Sequence, residues 1–444
     1  MICYLFVIAS LVLYVFAPVS YSLEYCSVCL VLYILNAISG LLPTLKKEVV
    51  NFGLLFSISL FLCSYLFPVV VYPIDKSYAF FSLGYNSDVI NKCTALVNVA
   101  FSFYWLGVRN AKNKSYRKFI ANDVVIDNRI INSLSNIVAV LFVLCIALGG
   151  MTYYTDRYIE GTMSVNMGFS YVNLLLTVFA ILLACSSYFA TSDRVLIKAT
   201  IVLLVVSVVI LFTGSRTLPM YVLIPLLYSY QKRYKISGTK MGLILFLMLS
   251  IFLIIGQLRH SVISIDSIAS FRPEESEIGV YDSFLDFFVN SRNLYVIYDS
   301  VQKDGYLYGK NFLSALLSVV PFLQGIVSKL FNIPEWQMGS ASFCTYLEFG
   351  NNPPLGLGTH IVGDIYLSLG FPGVMILFYA LGLFVTKVKN SAELRQNAFL
   401  YVTYAYMLAG SVFMCRGSMF DSVRGILWSA LILIIYKNCR LRIK

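Results

Sequence analysis

A histidine and an aspartate four residues apart, His360 and Asp364, stand where a polar stretch runs into an apolar one, in Gly358-Thr359-His360-Ile361-Val362-Gly363-Asp364. On a helix this spacing puts both side chains on one face, where a carboxylate can orient an imidazole. An imidazole held that way is suited to take a proton from an alcohol nucleophile, because its ordinary pKa lies near neutrality. The bland alternative is an interfacial histidine that only packs. The second histidine, His260, is too far away in the chain to make a metal motif with the first, and the sequence contains no HExxH, so no metal site is expected.

Arginines form the second chemical set. Arg216 lies in TGSRT, residues 213–217, between two apolar runs. Its planar, permanently charged fork can grip a phosphate, while Gly214 and Ser215 let the backbone approach and add donors. Arg259, Arg272 and Arg292 follow in the long polar stretch 257–369, and Arg416 and Arg424 flank the turn MCRGSMFDSVRG. Arginines brought to one membrane face from distant parts of a chain suit a pyrophosphate held at the interface. Snorkelling to headgroups, or pairing with the 11 of 22 carboxylates that fall within 257–369, would use them equally well.

The elements that must position these groups are apolar helices. With 59% hydrophobic and 12% charged residues over 444, and a mean hydropathy of +0.79, the chain cannot cover itself with a polar exterior. The fold class expected is an all-α polytopic membrane protein. Runs long enough to cross a bilayer, about 17 to 25 residues with shorter ones tolerated, lie near 2–18, 24–42, 50–72, 93–108, 130–151, 169–190, 198–213, 217–230, 241–256, 370–386, 398–415 and 425–436. That predicts about twelve transmembrane helices: nine within 1–256, a large extracytoplasmic loop over 257–369, and three more in 370–444 with a short tail. The first run lacks a preceding basic segment and reads as a retained helix. Within the loop, 311–331 is apolar but interrupted by Pro321 and Gly325, which predicts two short amphipathic helices on or in the outer leaflet rather than a crossing.

Charge placement orients the chain. With the N-terminus inside, 21 of the 33 lysines and arginines fall in cytoplasmic segments but only 5 of the 22 carboxylates do. The net charge of +11 is thus a positive-inside signal, both termini are expected in the cytoplasm, and nucleic acid is not needed as a partner. The ten cysteines fall mostly in apolar runs and read as small buried hydrophobes, the Cys26/Cys29 CxxC included. No internal repeat is visible, which argues against a transporter. Aromatic rings in 257–369, among them Tyr281, Tyr306, Trp336 and Tyr346, suit sugar faces, core or interface.

Taken together, TGSRT at 213–217, Tyr308-Gly309-Lys310-Asn311-Phe312 ahead of the interrupted segment with Pro321, and GDIYLSLGFPGV at 363–374 resemble the O-antigen polymerase (Wzy) family across the whole architecture. The resemblance implies a metal-independent, GT-C-type glycosyltransferase of lipopolysaccharide biosynthesis in the bacterial inner membrane, without a cofactor. Its periplasmic site would move a growing glycan from undecaprenyl pyrophosphate to the non-reducing end of a new lipid-linked repeat unit, among membrane lipids and beside a chain-length regulator. Arg216, Arg259, Arg272, Arg292 and Arg416 would hold the pyrophosphate, and His360 with Asp364 would supply the base. The lack of a P-loop or GxGxxG fits a preactivated donor. An O-antigen ligase and a lipid-linked oligosaccharide flippase are the alternatives, although a flippase should bury charge within its spans and keep its loops short.

Overall fold

Each apolar run becomes a helix in the computed structural model, which describes residues 2–45, 48–76, 84–112, 126–149, 167–212, 215–258, 285–353, 356–395 and 397–443. In chain order the helices are α1 (Ile2–Val15), α2 (Leu23–Leu45), α3 (Phe52–Ser64), α4 (Ile90–Lys112), α5 (Asn128–Ala147), α6 (Met167–Ser186), α7 (Asp193–Phe212), α8 (Thr217–Tyr234) and α9 (Gly238–Leu258). They continue with α10 (Leu285–Asp304), α11 (Leu313–Leu317), α12 (Leu323–Phe331), α13 (Ser340–Phe349), α14 (Ile361–Arg395), α15 (Ala398–Met414) and α16 (Ser422–Ile443). Among the described residues there is no strand. Local chemistry sets several starts. Asn51, Asp127 and Asn397 each accept a backbone N–H of the first turn of α3, α5 and α15, satisfying donors a helix leaves open.

Among the described residues six helices are long and apolar enough to cross a membrane: Leu23–Leu45, Ser87–Ala111, Asn128–Ala147, Gly168–Phe189, Asp193–Phe212 and Ile361–Glu393. A seventh crossing follows if α3 and the segment Phe67–Ile74, bent by 43°, act as one span. Pro68 lies at that bend, where its missing N–H breaks the ladder. Of the remaining runs, α1 and α15 are shorter, at 14 and 17 residues, and α8 carries Lys232 and Arg233 in its last turn.

The tightest seam joins α4 to α14. A Cβ on Gly107 would stand 2.1 Å from the carbonyl oxygen of Tyr379, and one on Gly382 would stand 2.1 Å from that of Tyr104. Only glycine lets two backbones approach so closely, and in lipid such contact replaces the hydrophobic effect as the driving force. Around this pair α1 and α2 pack on α4, α10 packs on α3 and α14, and α15 lies against α3, α8 and α14.

The bundle has two chemically distinct ends. At one, Lys232 pairs with Glu48 and, at 2.6 Å, with Glu393, while Lys389 reaches Glu48 at 2.6 Å. At the other, the end of α3, the starts of α8 and α14 and the α15–α16 turn converge. Glu48, Lys232, Lys389 and Glu393, from three segments read as lying on one side, therefore meet at one end, and the candidate chemistry lies at the other.

Part of the stretch read as loop belongs to the core. In α10, Ser291 donates to the carbonyl of Cys63 at 2.5 Å and Asn293 donates to the carbonyls of Leu357 and Gly358 at 3.0 and 3.2 Å. Polar residues with internal partners can be buried at little cost, so hydropathy alone misplaces them. Likewise α14 begins at Ile361 rather than near 370, and Gly370 (φ 64°, ψ −159°) is a kink within it. A Cβ there would meet the ring of Tyr306 at 2.8 Å. The interrupted segment does form two short helices, α11 and α12, separated at Pro321 and Phe322, and Trp428 of α16 donates to Val319 O at 2.8 Å to hold them.

Candidate active site at one end of the bundle

His360 caps the start of α14 and is fully buried. Its Nδ1 accepts the backbone N–H of Val362 at 3.1 Å, and its Nε2 lies 2.9 Å from Ser64 Oγ at the end of α3. Burial pushes its pKa down to about 3, so the ring is neutral. A neutral ring whose Nδ1 accepts carries its proton on Nε2, which donates to Ser64.

Asp364, one turn on, shares that helix face as its spacing predicts but takes a different partner. Asn311 Nδ2 donates to Asp364 Oδ1 and to its backbone carbonyl, both at 2.8 Å. Asp364 Oδ2 has no hydrogen-bond partner among the described residues. Leu307 N–H donates to Leu367 O at 2.8 Å, so the Tyr308–Phe312 turn is docked on the first turns of α14. Two of the motifs that carried the family resemblance thus meet in space.

The arginines divide. Arg292 is 2% exposed and pairs with the fully buried carboxylate of Glu348 on α13. Arg416 sits in the α15–α16 turn, its carbonyl accepting Thr359 N–H at 3.3 Å and its guanidinium 5.8 Å from the centre of the Phe287 ring. Arg216 is the half-buried residue just before α8. Arg259, Arg272 and His260 lie outside the described residues.

A cavity of about 350 Å³, lined by Ser215 and Thr217, the chain neighbours of Arg216, opens between α6, α8, α15 and the start of α16. Its polar walls are Asn173, Thr177, Ser215, Thr217, Asp421 and Arg424. Ser418 N–H donates to Asp421 Oδ2 at 2.8 Å, fixing the carboxylate while leaving it open to the cavity. Surrounding protein atoms withdraw it from bulk water and push its pKa above the ordinary carboxylate value, with Arg424, three residues on, opposing the shift only in part. A fixed, accessible carboxylate with raised proton affinity is a plausible general base, and a guanidinium next to it can stabilise a developing anion. Among the described residues no three histidine, cysteine, aspartate or glutamate side chains converge as metal ligands would.

A profile of the family described as O-antigen polysaccharide polymerase Wzy matches residues 1–441. The chain belongs to that family. Comparison with curated proteins and with solved structures finds no match. Membership in the Wzy family makes the protein a multi-pass membrane polymerase of the glycosyltransferase type, acting in O-antigen polysaccharide synthesis. The residues missed by sequence reading are Asp421 and Thr217, whereas Ser215 was read as a donor beside Arg216. Asp421 was visible between two arginines in MCRGSMFDSVRG, but only folding sets that turn against TGSRT.

Proposed function

We propose that this Wzy-family chain polymerises undecaprenyl-pyrophosphate-linked O-antigen repeat units at the periplasmic face of the bacterial inner membrane. The observation that carries this reading is the cavity in which Asp421, Arg424, Ser215 and Thr217 face one polar volume, the last two being the chain neighbours of Arg216. The acceptor hydroxyl at the non-reducing end of a new unit attacks the anomeric carbon of the growing chain. Asp421 takes its proton, the bond from that carbon to the pyrophosphate oxygen breaks, and the lipid pyrophosphate leaves with the electron pair. Arg424 and Arg216 offset the charge that develops on the leaving group, with Arg416 on the same turn. A pyrophosphate is already a good leaving group, so this GT-C-type scheme asks for neither a metal nor a nucleotide. Both substrates are aligned by their lipid anchors, which converts a bimolecular encounter into an oriented one.

In this scheme His360 and Asp364, expected from their spacing to move the proton, are positioning residues. Both ring nitrogens of His360 are engaged and none of its surface is exposed. Arg292, held by Glu348, belongs to the scaffold of the same end. The topology that goes with this reading has twelve crossings, both termini in the cytoplasm and the Lys232–Glu48–Lys389 end inside. A chain-length regulator is the proposed protein partner.

Lipopolysaccharide banding in a deletion strain tests the reading. The deletion should give core bearing a single repeat unit, wild type should restore the ladder, and Asp421→Asn should behave as the deletion does at normal membrane levels. Bare core with accumulating lipid-linked polymer would instead identify a ligase. Single units trapped on the cytoplasmic side would identify a flippase.

A further inference from the structure

A second and larger cavity, about 720 Å³, lies between α13 and the segments on either side of it. Its size is that of a small-molecule site. One wall is aromatic: the rings of Trp336 and Tyr346 stack with centroids 4.4 Å apart and planes within 6°. Glu335, Ser342 and Asn351 stand exposed around that wall, offering a carboxylate, a hydroxyl and an amide. The floor is fixed, since Thr345 Oγ1 accepts Leu357 N–H at 3.1 Å and donates to Ala341 O at 2.7 Å.

We propose that this cleft binds a saccharide, the glycan portion of the lipid-linked substrate. Pyranose rings carry C–H faces that stack on indole and phenol rings, and equatorial hydroxyls that carboxylates and amides take in pairs. A lipid tail would need an apolar slot without the carboxylate and amide rim. The cleft is tied to the chemistry by a short path. Gly358, in its lining, has φ +68° and packs against the carbonyl of Arg416, a Cβ built on it standing 3.4 Å away, and two residues later His360 immediately precedes α14. A glycan seated on Trp336 is therefore registered against the same turn that carries Asp421.

This inference rests on the polymerase reading, and the test separates the two. Purified full-length protein in detergent is titrated calorimetrically with the oligosaccharide released by mild acid from the strain's own lipid-linked repeat units. Wild type should bind saturably, Trp336→Ala should bind at least tenfold more weakly, Asn351→Ala on the rim should weaken binding several-fold, and Trp336→Phe should stay within about threefold of wild type. Asp421→Asn should bind the glycan as wild type does while failing to polymerise the lipid-linked units. In assays of chain growth, a raised KM for single units in Trp336→Ala assigns the cleft to the acceptor, and a shortened ladder at unchanged KM assigns it to the growing chain. Absence of binding by wild type, or wild-type binding by both Trp336→Ala and Asn351→Ala with unchanged thermal unfolding, overturns the proposal. Either of those results leaves the Asp421 reading standing, whereas glycan binding without any polymerisation by wild type removes that reading and keeps the cleft.

Discussion

The imidazole Nε2 of His360 lies 2.9 Å from Ser64 Oγ, joining the first residue before α14 to the last residue of α3. Neither group is exposed, and in the proposed scheme the contact fastens two helix ends. Replacing His360 by alanine leaves Ser64 Oγ and Val362 N–H without these partners, at about 1–3 kcal/mol for a buried polar group. The expected outcome for His360→Ala is a lower unfolding temperature in detergent with turnover per folded molecule within a few-fold of wild type. A loss of turnover by orders of magnitude at unchanged stability would return the base to His360.

In the proposed scheme Asp421 sets the pH dependence. Protein atoms around the carboxylate raise its proton affinity, so activity should climb with pH as the basic form appears, at a higher pH than for an ordinary carboxylate. The sign for stability is opposite. A carboxyl whose folded pKa is raised contributes stability below its unfolded pKa and loses it as pH rises through the folded one. Asp421→Asn should accordingly fall in activity by at least a hundredfold, keep a residual rate without the acidic limb, and be at least as stable as wild type at neutral pH. Polymerisation rate and thermal unfolding of the two proteins, each measured across pH 4 to 8, check the two signs.

Arg292 and Glu348 make a different prediction because their pair is closed to solvent. Glu348→Gln strands a buried guanidinium and should destabilise by about 3–5 kcal/mol. The double change Arg292→Met with Glu348→Leu should recover most of that loss, as apolar replacements of whole buried pairs do. Chemical unfolding of the two variants separates a scaffold pair from a substrate contact, since a substrate contact would leave stability unchanged and reduce activity in both.

At the α4–α14 seam, Gly107→Leu or Gly382→Leu must push the helices apart by more than a side-chain shift can absorb, because the neighbouring atoms are backbone. Membrane levels of both variants should collapse. Gly242→Leu, where a Cβ would meet nothing within 4 Å, should accumulate normally.

Much of the helical plan was legible because lipid imposes it: every apolar run became a helix, and Pro321 split 311–331 as an interior proline must. The nine described cysteines are free and buried, as apolar placement suggested. What hydropathy could not read is α10. Its Asn290-Ser291-Arg292-Asn293 run looks solvated, yet Ser291, Arg292 and Asn293 find partners on segments far away in the chain. The same limit hid the cavity. Ser215 and Asp421 stand some two hundred positions apart, and periodicity within either segment carries no trace of the other. Spacing did place His360 and Asp364 on one face, but spacing is silent about Ser64 and Asn311, which claim them.

The most direct measurement is polymerisation by the purified chain reconstituted with its lipid-linked repeat units, in the presence of EDTA, comparing wild type with Asp421→Asn and Arg424→Ala. Wild type should build a ladder that EDTA leaves intact, Asp421→Asn should fall by at least a hundredfold and Arg424→Ala by ten- to a hundredfold, each at wild-type stability. Ladders of wild-type rate from both variants would contradict the assignment of chemistry to the Ser215–Asp421–Arg424 cavity.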